Sequence, residues 1–141
     1  MSRYHNRRYD PAVALALILL FQPANAGDKL PETPSEIQDA WSSVLYCQTI
    51  YQEPDVKDRI YAGDLQSCEK ADSLIRWLIS RDFSPRDRHT LEQNARNKSG
   101  AIRYNTRSVQ DAIMACRQQC RHYAAIFDRK AESGELGQAM N

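Results

Sequence analysis

Cys116 and Cys120 stand four residues apart on an apolar stripe of helical spacing that continues through Val109, Ala112, Ile113, Tyr123, Ala124 and Phe127. On a helix such residues share one face. Their Cβ atoms then lie about 6 Å apart, against about 3.8 Å across a disulfide. The two cannot bond each other without breaking the helix, so each must reach a separate partner. The other two cysteines of the chain are Cys47 and Cys68. Each falls on the apolar stripe of its own helix, one near the end of the first and one near the start of the second. An antiparallel hairpin of those helices sets them at one level, and the last helix is then bolted to both. Cys47 with Cys68 and Cys116 with Cys120 is the connectivity that geometry disfavours. The remaining two are not separated by the sequence.

Metal and redox uses of the same cysteines fit less well. His122 lies about 200° around the helix from Cys120 and faces elsewhere, so Cys116, Cys120 and His122 do not converge on a metal. There is no Cys-x-x-Cys pair for thiol redox and no haem-attachment motif. The expectation is two structural disulfides, with no metal and no cofactor.

Disulfides require an oxidising compartment, and the N-terminus reads as a ticket to one. Arg3, Arg7 and Arg8 precede an uninterrupted apolar run from Pro11 to Phe21, and Ala24-Asn25-Ala26 supplies a small-x-small cleavage pattern. The run is too short to span a bilayer, which takes about 20 apolar residues. Arg7-Arg8 resembles a twin-arginine start, but Tyr9-Asp10-Pro11 follows where apolar residues belong. Residues 1–26 are therefore read as a signal peptide cleaved after Ala26, leaving no membrane anchor and a periplasmic or secreted protein. Removing 26 of 141 residues leaves 115. That is one domain with a modest core, for which cross-links matter.

The mature chain reads as helical throughout. Thr33-Pro34-Ser35-Glu36 is a capping box with proline at the first helical position, and Ile37, Ala40, Trp41, Val44, Cys47 and Tyr51 follow at helical spacing. Pro54 ends that helix. Residues 55–63 form a connector with one or two helical turns. Asp64 reads as the cap of a second helix with Leu65, Cys68, Ala71, Ile75, Leu78 and Ile79 on its stripe. Ser84-Pro85 opens a third, weakly apolar helix carrying Leu91 and Ala95, which Lys98-Ser99-Gly100 is expected to stop. Thr106 caps the last. The fold class is all-α, a small four-helix bundle or orthogonal helical array tied by two disulfides. The helical domain is residues 27–132, and residues 133–141 are read as a disordered tail.

No catalytic motif is present: no nucleophile elbow, phosphate loop, zincin helix or calcium loop. His89 and His122 are the only histidines after residue 26, and both lie among polar helix residues. A small enzyme built around either is one alternative, and an apolar-ligand carrier using Trp41, Trp77 and Tyr123 is another. The segment 96–107 has the strongest binding character. It combines Arg96, Lys98, Arg103 and Arg107 with Ile102 and Tyr104 in an expected loop. Arg and Tyr are common interface hot spots. Arg117 and Arg121 add a basic face to the last helix, placed opposite its cysteines. Charge is uneven along the chain, acidic before Ser73 and basic after it. A near-neutral total and an exported location argue against nucleic acid. The sequence thus points to a non-enzymatic protein of inhibitor, immunity, chaperone or secretion or conjugation accessory type. It would bind another protein with an acidic surface through Arg96, Lys98, Arg103, Tyr104 and Arg107.

Overall fold

The structure, a computed structural model, describes residues 29–102 and 109–140, with side chains to residue 137. The expected signal peptide, the Thr106 cap, Arg103, Tyr104 and Arg107 lie outside the described residues. The described helices belong to the unit Pro31–Asn141. Among the described residues there are six helices and no strand: α1 (Pro34–Ile50), α2 (Pro54–Lys57), α3 (Ala62–Asp82), α4 (Pro85–Ala101), α5 (Val109–Ser133) and α6 (Glu135–Met140). The all-α class with two disulfides is what the sequence predicts.

The local signals explain where α1 and α4 begin. The Thr33 hydroxyl accepts from the Glu36 N–H at 3.1 Å, and Glu36 accepts from the Thr33 N–H at 3.0 Å. Two of the free donors at the start of α1 are thereby satisfied. Ser84 does the same for α4, accepting from the Asp87 N–H at 3.2 Å.

α3 and α5 pack along each other, α1 lies against α3 and α4, and α4 is held chiefly by α1. Trp41, Val44, Leu74, Ile75, Ile113 and Ile126 are among the side chains wholly removed from solvent. Each such burial is worth roughly 1.5–3 kcal/mol. The end of the molecule around the disulfides has its own cluster, in which Ile50, Tyr51, Val56 and Ile113 surround the four cysteines. Trp41 keeps its indole N–H satisfied by donating to Asp72 at 2.8 Å.

Three boundaries differ from the sequence reading, each for a physical reason. Asp64 is the third residue of α3 rather than its cap; it reaches back to accept the Tyr61 N–H at 3.0 Å. Lys98-Ser99-Gly100 does not stop α4, which runs on to Ala101. Gly100 is helical there, and glycine within a helix costs only about 1 kcal/mol relative to alanine. The tail read as disordered instead carries α6. Gly134 adopts φ +84°, a left-handed conformation that ends α5 and redirects the chain. Leu136 is then buried, in a helix packed on α3 and α5. Lone apolar residues such as Leu136 give no periodic signal, so the segment is silent in sequence.

Candidate functional site

The four cysteines form Cys47–Cys116 and Cys68–Cys120, with Cα–Cα distances of 5.5 and 4.7 Å, and no cysteine is free. Cys116 and Cys120 each take a different partner, as their shared helix face requires. α5 is thereby joined covalently to α1 and to α3. All four sulfurs are bonded, so none is available as a thiolate.

Beside these bridges lies a polar cluster that the sequence does not announce. Asp64 is completely buried. The Arg117 guanidinium donates to both its carboxylate oxygens, from Nε at 2.9 Å and from Nη2 at 2.8 Å. This is the two-pronged geometry in which an arginine binds a carboxylate most strongly. Arg121 approaches the same carboxylate at 3.6 Å. Burial alone would push the Asp64 carboxyl up. The hydrogen bonds from Arg117 and from the Tyr61 N–H, with both arginine charges, outweigh it and hold the group below the usual carboxylate range.

Two tyrosines complete the cluster. The Arg117 guanidinium lies 4.9 Å from the centre of the Tyr61 ring, a cation–π arrangement. Tyr51 is buried, and its hydroxyl finds no hydrogen-bond partner among the described residues. Its pKa is pushed up to about 12, first by burial and then by the Asp64 charge. The expected basic face opposite the cysteines needs correction. Arg117 and Arg121 sit about 100° around α5 from Cys116 and Cys120 respectively, and both turn toward Asp64. The missed signal was an aspartate in the first turn of one helix and an arginine 53 residues later. No local pattern links them.

The predicted binding segment is described only in part. Arg96 is exposed on α4 and pairs with Glu92 at 2.7 Å. Lys98, also exposed, pairs with Asp39 of α1. Both belong to helix rather than to a loop, and both charges are met by carboxylates. Arg96, Ser99 and Gly100 line one side of an open groove of about 460 Å³, and Leu45, Gln48, Thr49 and Gln52 line the other. It runs between α1 and α4 and its walls are mainly polar.

His89 is exposed on α4, and the His122 ring packs 5.2 Å from that of Tyr123 on α5. Trp41 and Trp77 are buried in the core. Arg76 covers the Trp41 ring at 5.1 Å, while Arg81 and Lys130 cover that of Trp77 at 4.7 and 5.2 Å. Among the described residues no helix is long and apolar enough to cross a membrane. No family model matches the chain, and no curated protein or solved structure matches it.

Proposed function

We propose that the chain is exported to the periplasm or secreted, with residues 1–26 removed as a signal peptide. It then acts without catalysis, by binding another protein that presents an acidic surface. Two intramolecular disulfides are the mark of an oxidising, extracytoplasmic compartment and support the location. The groove between α1 and α4 is the observation that carries the binding role. Arg96, Ser99 and Gly100, the described start of the basic segment 96–107, form one of its walls. The Cys47–Cys116 bridge holds the α1 wall in place, so a partner entering the groove meets one wall already ordered and spends its ordering entropy on α4 alone.

An enzyme centred on His89 or His122, or a carrier using Trp41, Trp77 and Tyr123, draws less support. His89 stands in solvent, and both tryptophans are packed by neighbours.

Two measurements test the proposal. Alkylation of the native exported protein under denaturing, non-reducing conditions, followed by intact mass, is expected to give a chain lacking Met1–Ala26 and carrying no alkylated thiol. The second is capture of the partner from the same compartment. Charge reversal at both Arg103 and Arg107 is expected to weaken capture at least about fivefold; undiminished capture would show that the segment 96–107 is not the interface.

A further inference from the structure

Two large apolar side chains are well exposed among the described residues, Tyr61 at 67% and Met114 at 56%. Both neighbour the same arginine. Tyr61 stacks on Arg117 at 4.9 Å. Met114 precedes Arg117 by three residues and Arg121 by seven, so these three lie within about 60° of one another around α5. One face thus gathers exposed Met114, Tyr61 and Arg121 around the partly buried Arg117, and Met, Tyr and Arg are enriched at protein interfaces.

Around Asp64 the charge is unbalanced. Asp64 is one carboxylate between two guanidiniums. Arg117 occupies both its oxygens at hydrogen-bond distance, which leaves Arg121 at 3.6 Å with its side chain 58% exposed. Within this cluster Arg121 holds a positive charge without a close hydrogen bond. An incoming carboxylate would supply one, and the neighbouring Met114 and Tyr61 would receive an apolar side chain.

We propose that Tyr61, Met114, Arg117 and Arg121 form a docking face for an acidic, apolar-containing segment of a partner polypeptide. The face rests on the reading that the chain binds another protein, but not on residues 96–107. The backbone beneath it is fixed, since Cys116 and Cys120 tie α5 to α1 and α3 on both sides of Arg117. Arg117 is itself a positioning residue. Its grip on Asp64 holds the Tyr61 ring and leaves Arg121 free to turn outward.

The test is a titration of the oxidised protein with a decapeptide of alternating Asp and Phe, followed through the Met114 methyl and Arg121 Nε–H signals in NMR spectra. Matched Lys–Phe and Asp–Gly peptides serve as controls. The face predicts saturable shifts at both signals with the Asp–Phe peptide and weaker or absent shifts with the controls. Arg121→Gln and Met114→Lys should each weaken binding at least about fivefold, with the melting temperature of the Met114 variant unchanged. Met114 is exposed, so its replacement reads binding even if the Arg121 variant is less stable.

Any of these results overturns the proposal: no saturable binding, shifts confined elsewhere, equal binding of the Lys–Phe peptide, or affinity untouched by both variants. Self-association abolished by Met114→Lys would give the face to a second copy of the chain and likewise overturn it. Loss of capture on reversing Arg103 and Arg107 would leave this result unaffected, so the two interfaces stand or fall separately.

Discussion

α5 and α4 are both long helices laid against the same core, and they are held by opposite means. α5 is bonded through Cys116 to α1 and through Cys120 to α3, and Arg117 is clamped on a buried carboxylate. α4 has only Leu91 and Ala95 buried, with exposed ion pairs such as Lys98–Asp39 and Arg76–Glu92 at its margins. A helix with few apolar residues can remain docked while easily released, and a helix locked twice cannot drift at all. The difference implies that opening motions concentrate on α4, the side that carries the groove.

Removing the bridges should break this contrast most severely. They span sequence separations of 69 and 52 residues. Chain-entropy arithmetic assigns each roughly 4 kcal/mol, and loss of one native bridge costs about 2–5 kcal/mol in practice. Cys68→Ala with Cys120→Ala is expected to lower the urea midpoint accordingly, and reduction of both bridges to unfold much of the chain. Asp64→Ala comes next. It strands Arg117 and Arg121 beside a void, and about 3 kcal/mol should be lost. A double-mutant cycle with Arg117→Ala would isolate the pair. The Asp64 pKa is lowered in the folded state. Its contribution is therefore complete above the ordinary carboxylate pKa of about 3.9 and disappears as pH falls through the folded value. Acid unfolding curves of wild type and Asp64→Ala should converge below that point.

Leu91→Ala probes the other helix. A loss of about 2–3 kcal/mol is expected. Hydrogen exchange should quicken in α4 and remain slow in α5 around Cys116, whereas uniform acceleration would show that the two helices open together. Tyr51→Phe should change stability by under about 1 kcal/mol at neutral pH, because it deletes a hydroxyl that has no partner among the described residues. At high pH it should help. The folded pKa of about 12 exceeds the usual tyrosine value of about 10, so stability falls as pH rises through that window and the phenylalanine variant escapes the fall. Smallest of all, Lys98→Ala should cost no more than about 0.5 kcal/mol, as exposed pairs do.

These predictions divide along the same line as what the sequence could reveal. The starts of α1 and α4 are legible at Thr33-Pro34 and Ser84-Pro85, because capping uses residues three apart. Separate partners for Cys116 and Cys120 are also legible, from helix geometry alone. The choice of Cys47 for Cys116 is not, since it depends on how α1 and α3 are rotated against α5. Asp64 shows the same limit more sharply. Its place in the first turn suggests a cap, and only the assembled fold brings Arg117 to it. Leu136 was hidden for a different reason: a single apolar residue has no period to detect.

The Cys47–Cys116 bridge also sets how the molecule would yield to a pull on its two ends. Tension entering at α1 crosses directly from one sulfur to the other and leaves the chain between them unloaded. At about 3.4 Å per extended residue, the 69-residue separation withholds roughly 230 Å of contour length. An unfolding machine gripping the C-terminus would, after α5 gave way as far as Cys120, have to draw a doubled strand through its pore. While the bridges last, the protein is topologically two rings that share residues 68–116, with a tail at each end.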